Sequence, residues 1–186
     1  MTRLVGFSGS LRRGSFNTAL LRAAVAAMPD GSSLEPMSIA EIPLYNADVE
    51  AVAIPAPVVR LKDAIIAADG LLIVTPEYNN SIPGVAKNAL DWLTRPDTDV
   101  RRVFSGKPVG LIGASPGRFG TILSQNAWLP VLRTIHAQLW TDGRLMVARA
   151  GEVFDAEGKI IDPAIQKSLQ TYLAGFVAYA SRGAGR

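Results

Sequence analysis

A loop of glycine, serine and arginine near the start of the chain has the composition of a phosphate-binding site. It spans residues 6–17, after a short apolar run and before a helical pattern. The first turn of a helix presents free N–H groups and the positive end of its macrodipole to an anion. Side chains of the loop can add hydroxyl, amide and guanidinium donors, from Ser8, Ser10, Ser15, Asn17 and Arg12. The loop therefore predicts a site for a phosphate group.

The spacing within this loop narrows the class of phosphate compound. Gly9 and Gly14 have the spacing of a nucleoside-triphosphate P-loop, but Ser15 and Phe16 stand where that motif needs Lys and then Ser or Thr. The loop also lacks the Gly-x-Gly-x-x-Gly fingerprint of dinucleotide sites, so we expect a single terminal phosphate. A plain helix cap is the simpler alternative, but it explains one polar residue rather than the whole cluster.

Two later loops have the composition of a site for a planar ring. Residues 75–84 include two prolines, an aromatic side chain and two amides, which together supply backbone N–H groups and a wall for a ring face. Residues 113–121 are rich in small side chains, and N–H groups at the helix start that we expect at Ser115–Gly117 could bind ring oxygens. Arg118 could attract an anionic nucleotide or be a solvated surface residue. Ordinary turn chemistry remains an alternative for residues 79–84.

Apolar runs that alternate with helical patterns predict the elements that bring these loops together. The predicted strands are residues 4–7, 34–39, 70–75, 107–114 and 138–141, with 145–147 as a further part of the last. The predicted helices are residues 15–28, 58–69, 83–94, 119–136 and 163–181, the last capped by Asp162. Pro130 predicts a kink or break near Ala127.

This order of elements predicts an α/β fold with a three-layer, doubly wound, five-stranded parallel sheet in the flavodoxin-like order 2-1-3-4-5. Ligands of such sheets bind at the carboxyl ends of the strands, where the winding reverses. The loops after the first, third and fourth strands should therefore share one site. We expect residues 1–186 to form a single domain, with 182–186 as a frayed tail.

Composition excludes several classes of function. The chain has no cysteine and one histidine, so disulfides, thiol chemistry and a zinc or triad site are not expected, and His136 is predicted to be structural. The net charge of +3 is dispersed, which argues against a nucleic-acid partner. No apolar stretch is long enough to span a bilayer, and we find no signal-peptide pattern, so we expect a cytoplasmic protein.

Five motifs carry a resemblance to a known family. They are residues 9–12, 15–17, 43–48, 75–79 and 87–92. In this order they resemble the NADPH-dependent FMN reductase family, and within it the bacterial quinone and chromate reductases. The likeness extends over roughly residues 4–176, and it departs from the family's pattern at Leu123, Asn126 and Pro130.

The resemblance implies non-covalently bound FMN, NADPH or NADH as electron donor, and a homodimer or homotetramer with the flavin beside a subunit interface. The residues that would hold the phosphate, by their position in these motifs, are Ser10, Leu11, Arg12, Ser15 and Asn17. The residues that would flank the isoalloxazine are Pro76, Glu77, Tyr78 and Asn79. Ser115 and Gly117 would lie at its edge, and neither a catalytic side chain nor a metal is implied.

The expected reaction passes hydride from reduced nicotinamide through the flavin to a quinone by a ping-pong mechanism. Chromate, azo or nitro compounds are further acceptors that such a site could take. An electron carrier like flavodoxin is an alternative, although such carriers are usually acidic and this chain is +3. A cofactor-free anion-binding module on the same fold is another alternative.

Overall fold

A parallel sheet with helices on both faces is the frame of the computed structural model, which describes residues 1–183. The strands are β1 (Thr2–Ser8), β2 (Ser32–Met37), β3 (Gly70–Val74), β4 (Pro108–Ala114), β5 (Gln138–Leu139) and β6 (Leu145–Val147). The helices are α1 (Phe16–Ala26), α2 (Ala47–Val52), α3 (Ala56–Ala67), α4 (Gly84–Leu93), α5 (Asp99–Phe104), α6 (Ile122–Thr134), α7 (Ala150–Val153) and α8 (Pro163–Gly183).

The strands lie in the order β2-β1-β3-β4-β5, which confirms the predicted topology. Strands β3 and β4 are continuous apolar runs because helices cover both of their faces, and every residue in them is buried. One face packs against α1 and α8 around Leu20 and Phe176. The other packs against α3, α4, α5 and α6 around Leu61, Trp92 and Trp128. These are the three layers expected from the sequence.

The last strand is divided into two parts. Strand β5 pairs with the first half of β4, and β6 pairs with the second half, at residues 112–114. Short helices α2, α5 and α7 add to the five predicted helices, since the described residues contain eight. They have four to six residues each, too few for a helical periodicity to be recognised in the sequence.

Helix α6 is shorter than predicted and is not broken near Ala127. It begins after Gly120 and ends before His136. These two residues have φ values of 62° and 61°, which are left-handed and incompatible with a right-handed helix. Pro130 lies inside the continuous helix. The buried side chains of Trp128 and Leu132 hold the helix on the sheet and offset the one backbone hydrogen bond that proline removes.

Helix α8 begins as predicted, because Asp162 Oδ1 accepts hydrogen bonds from the N–H groups of Ala164 and Ile165 at 2.8 and 3.2 Å. Its end differs from the prediction, since Arg182 is still helical. The rest of the predicted frayed tail, residues 184–186, lies outside the described residues. Within residues 1–183, no helix is both long and apolar enough to cross a membrane.

The connection after β2 is held against α4. Pro43 O accepts hydrogen bonds from Asn88 Nδ2 and Trp92 Nε1, both at 2.8 Å. The N–H of Tyr45 donates to Asn88 Oδ1 at 2.8 Å. Arg95 donates to Glu50 of α2 at 2.9 Å, and this hydrogen bond lowers the pKa of the Glu50 carboxyl. Two of the motifs behind the family resemblance, residues 43–48 and 87–92, are therefore in direct contact.

Candidate functional site

Three loops meet at the carboxyl edge of the sheet, because β1, β3 and β4 are neighbours there. We call them the first loop (residues 9–15), the second loop (75–83) and the third loop (115–121). The first and second loops touch directly. The N–H of Gly9 donates to Val74 O at 2.8 Å, and the hydroxyls of Ser10 and Tyr78 lie 3.3 Å apart. The predicted convergence of these loops is present.

The first loop ends in a capped helix. Ser15 Oγ accepts hydrogen bonds from the N–H groups of Asn17 and Thr18 at 3.2 and 3.3 Å. Ser15 is thus the N-cap of α1, as predicted by the alternative interpretation of this loop as a plain helix cap. Because its lone pairs accept these two bonds, its own O–H is left to donate to an anion. The capping role and the phosphate role are therefore compatible.

The side chain of Asn17 joins the first helix to the fourth strand. Its Nδ2 donates to Ala114 O at 2.8 Å, and its Oδ1 accepts from Ala114 N at 2.9 Å. The residue is 3% exposed. The amide that we expected to bind phosphate is thus engaged at both ends within the protein. Its contact with a phosphate through the remaining N–H stays a prediction.

The second loop contains a tight turn at its exposed tip. Tyr78 and Ser81 exchange two backbone hydrogen bonds, and Asn79 and Asn80 between them have φ values of 49° and 61°. Two left-handed residues in succession are the mark of a type I′ turn, which asparagine adopts more readily than most residues. Tyr78 is 46% exposed beside this turn. It therefore offers an aromatic face at the entrance of the site.

Glu77 caps helix α6 from the second loop. Its Oε2 accepts hydrogen bonds from the N–H groups of Leu123 and Ser124 at 2.8 and 3.0 Å. Within the described part of the chain, the helix's own N-cap, Thr121, makes no side-chain cap bond. A carboxylate at this position also interacts favourably with the helix macrodipole. The second loop is thereby fixed to the helix that follows the third.

This cap corrects one prediction about the third loop. The Ser115–Gly117 segment is a turn, closed by a 3.1 Å hydrogen bond from Gly117 N to Ser115 Oγ, and not a helix start. Helix α6 begins only at Ile122, because Gly120 has left-handed backbone that cannot be part of a right-handed helix. The N–H groups of its first turn that we expected to meet ring oxygens are bound to Glu77 instead.

The end of β6 and the segment after it are hydrogen-bonded to the third loop. These contacts were not predicted from the sequence. Ser115 N donates to Val147 O at 2.9 Å, and Ser115 O accepts from Ala150 N at 3.0 Å. Arg149 N donates to Gly117 O at 3.0 Å from a left-handed conformation, with φ of 46°. A non-glycine residue held in this region is strained, which is common near functional sites. Nothing in the local sequence signals it.

A buried polar cluster under the second loop was also missed. Thr75 Oγ1 accepts from Trp128 Nε1 at 3.2 Å and lies 3.0 Å from Ser124 Oγ. It also donates to Pro76 O at 2.9 Å. Thr75 and Ser124 are fully buried. The cluster fixes the backbone on which Pro76 and Glu77 stand, and its only sequence signal is a hydroxyl at the end of an apolar strand.

Of the remaining candidate site residues, two are exposed on the loops and one lies far from all three loops. Leu11 and Arg118 are exposed, and Arg118 makes no ion pair with any residue of the described chain. His136 O accepts from the N–H of Gly106, just before β4. This places His136 at the amino edge of the sheet, opposite the three loops. The prediction that it has a structural role agrees with this position.

The first loop has the uncommitted donors that a phosphate requires. Across residues 1–183, the N–H groups of Leu11, Arg13 and Gly14 have no acceptor. Arg12 makes no ion pair in the same range, and its Cζ lies 5.6 Å from the centroid of the Phe16 ring. Free N–H groups beside a cationic side chain at a helix start match a phosphate dianion. The donor set of this loop therefore fits the terminal phosphate predicted from the sequence.

Replacing Asn17 by Ala tests the junction between α1 and β4. The change leaves the buried N–H and C=O of Ala114 without partners, so we expect the free energy of unfolding to fall by about 2–4 kcal/mol. Urea unfolding of the cofactor-free protein measures it. Gln170→Ala is the matched control, because the amide of Gln170 is exposed on α8 and the variant should stay within about 0.5 kcal/mol of wild type. Equal stability of the Asn17 variant and wild type would contradict the assignment.

Comparison with curated proteins identifies relatives of nearly the same length. The chain is 41% identical over 180 residues to an NAD(P)H-dependent FMN reductase of Pseudomonas aeruginosa. The aligned region covers 97% of this chain and 96% of the relative. The chain is 39% identical over 171 residues to a 2-hydroxy-1,4-benzoquinone reductase of a Burkholderia species, covering 92% of each.

A solved structure and a family profile agree with these relatives. The fold is similar to that of a flavoenzyme NAD(P)H:(acceptor) oxidoreductase from Paracoccus denitrificans, with a TM-score of 0.88 and 33% identity over 98% of this chain and 99% of that one. The profile of the NADPH-dependent FMN reductase family matches residues 2–152. The profile match and these relatives lead to one assignment: the chain belongs to the NADPH-dependent FMN reductase family.

Proposed function

We propose that this protein holds FMN across its three loops and uses it to transfer hydride from NAD(P)H to quinones. The fold, the cofactor and the enzyme class predicted from the sequence are confirmed by the family and by flavoenzyme relatives. The observation that carries the proposal for this chain is the first loop. There, with respect to residues 1–183, N–H groups without an acceptor and an arginine without an ion pair lie at a capped helix start. The electron-carrier and cofactor-free alternatives have no comparable support.

In this proposal the first loop binds the phosphate of FMN. The hydroxyls of Ser10 and Ser15, the free N–H of Leu11 and the Arg12 guanidinium supply donors, and the α1 macrodipole favours the negative charge. Asn17 orients α1 through Ala114, so its effect on the phosphate is largely one of position. The loop binds the cofactor without supplying an acid or a base.

The second and third loops would hold the isoalloxazine. Tyr78 presents an aromatic surface to a ring, while Pro76 is buried beneath the loop. The N–H groups of residues 77, 79 and 80 have no acceptor among the described residues. Ser115 and Gly117 form the opposite edge. Glu77 acts by fixing α6 and the second loop together. When bound, FMN supplies the chemistry, accepting hydride from reduced nicotinamide and passing two electrons on.

The surroundings of the proposed ring site are open to solvent. Tyr78 is 46% exposed and Phe119 is 80% exposed, so the described chain places no closed wall over this entrance. Both substrates would use the same opening, one after the other. Quinones are flat and match an aromatic entrance of this kind. One relative is named a 2-hydroxy-1,4-benzoquinone reductase and several others are named quinone reductases, which supports quinones as acceptors here.

We also propose that the protein is a homodimer or homotetramer in the cytoplasm. Helix α6 and the third loop before it leave a group of exposed apolar side chains: Phe119, Ile122, Leu123 and Leu129. A group of this kind is more typical of a subunit interface than of a solvated helix. The cytoplasm supplies NAD(P)H and suits a chain without cysteine. Sedimentation velocity checks the assembly, and a monomer at all concentrations would contradict it.

Kinetics with both substrates test the proposed function. The purified protein should bind FMN stoichiometrically, and under anaerobic conditions NADPH or NADH should bleach its visible absorbance within seconds. Because one opening serves both substrates, steady-state data should give parallel double-reciprocal lines as the quinone concentration is varied. A protein that takes up no FMN, or whose bound FMN is reduced by neither nucleotide, would overturn the proposal.

A further inference from the structure

The aromatic ring of Phe16 contacts both the cationic side chain of the first loop and the core of the protein. Arg12 Cζ lies 5.6 Å from the centroid of this ring. The buried ring of Phe154 stacks on it, with the two centroids 5.7 Å apart and the ring planes 27° from parallel. Phe16 is not among the residues that we assigned to the phosphate of FMN, so its contact with Arg12 has no function in the account given so far.

The position of the Phe16 ring is fixed without any help from Arg12. Phe16 is the first residue of α1, and its half-buried ring packs against the core on that face of the sheet. Phe154 is itself held by the backbone, because its N–H donates to Ala150 O at 3.1 Å and it pairs with Ile160 in a β-bridge. The Phe16 ring is therefore a rigid surface on which a flexible arginine side chain can rest.

The guanidinium of Arg12 has no polar anchor in the part of the chain that the structure describes. Across residues 1–183 it forms no ion pair and donates no hydrogen bond. A Cβ added at Gly14 would lie 3.2 Å from Arg12 Nη1, so the glycine leaves room for the guanidinium beside the first loop. The contact with the Phe16 ring therefore determines where this charge lies.

This placement of positive charge is electrostatically unfavourable without a ligand. Arg12 lies at the N-terminal end of α1, where the macrodipole is positive and where, within residues 1–183, the N–H groups of Leu11, Arg13 and Gly14 have no acceptor. The negative face of an aromatic ring attracts a guanidinium and offsets the repulsion from the helix end. A phosphate that binds here meets a cation already in place, which avoids the entropy cost of ordering a long side chain.

From these contacts we propose that Phe16 is a positioning residue for the phosphate of FMN, because its ring holds the Arg12 guanidinium at the start of α1. The inference rests on the proposed function, since it takes Arg12 to bind that phosphate. Riboflavin has the same ring system as FMN and no phosphate. Phe16 should therefore contribute to the binding of FMN and not to that of riboflavin.

Fluorescence titration of the cofactor-free protein with FMN and with riboflavin tests this role. Phe16→Leu keeps an apolar side chain against Phe154 and removes the aromatic face, so FMN binding should weaken about fivefold, while riboflavin binding changes by less than about twofold. Phe16→Tyr is the matched control, because it keeps the aromatic face and should bind FMN as wild type does. Equal FMN affinity in Phe16→Leu and wild type, or an equal loss for FMN and riboflavin, would overturn the inference.

A double variant shows whether Phe16 acts through Arg12. Arg12→Ala should weaken FMN binding about tenfold. Phe16→Leu made in the Arg12→Ala background should weaken it no further, because the guanidinium that the ring holds is already gone. A full additional loss in the double variant would show that the ring acts on the loop as a whole and would overturn the inference.

Nuclear magnetic resonance of the Arg12 side chain separates this inference from the proposed function. In the cofactor-free protein the Phe16 ring should shift the Arg12 side-chain proton resonances upfield, and Phe16→Leu should abolish the shift. Wild type that takes up no FMN would refute the proposed function. The ring-current shift, together with weaker binding of inorganic phosphate by Phe16→Leu than by wild type, would still support the positioning role. Wild type without the shift would overturn it.

Discussion

The pair of hydrogen bonds between Asn17 and Ala114 is the constraint on which the site depends. It links the first turn of α1 to the carboxyl end of β4, across the intervening strand β3. Because the pair is buried, no water can replace either bond, and the helix start has one position relative to the sheet. The direction of the α1 macrodipole, and with it the phosphate position, follows from this junction.

The other contacts between the loops complete the arrangement. Ser10 meets Tyr78, Glu77 holds the start of α6, and Ser115 is bound to the segment after β6. Side chains committed to these bonds fix the loops, while those left uncommitted, such as Arg12, are the ones available to a ligand. A site already ordered in this way binds its ligand without the free-energy cost of ordering loops. This division explains how a site with few titratable groups can serve a cofactor that carries its own chemistry.

The sequence predicts well what depends on local pattern. Strands β3 and β4 are apolar runs with no other interpretation, and the start of α8 follows from Asp162 and Pro163. It predicts poorly what depends on distant partners. Asn17 and Glu77 were singled out as ligand contacts, which stays a prediction, but nothing in the sequence indicated that their side chains bind backbone groups 97 and 46–47 residues away. The limits of α6 were misplaced because Gly120 and His136 adopt left-handed backbone that composition does not reveal.

Hydrogen exchange at the loop junctions is the most direct test of a site formed before its cofactor binds. The N–H groups of Ala114, Leu123 and Ser124, which donate to Asn17 and Glu77, should exchange slowly in the cofactor-free protein. Addition of FMN should change their rates little, while the free N–H groups of Leu11 and Gly14 should become protected. Fast exchange at Ala114 and Leu123 that slows only when FMN is added would show that the cofactor orders the loops, and would contradict this account.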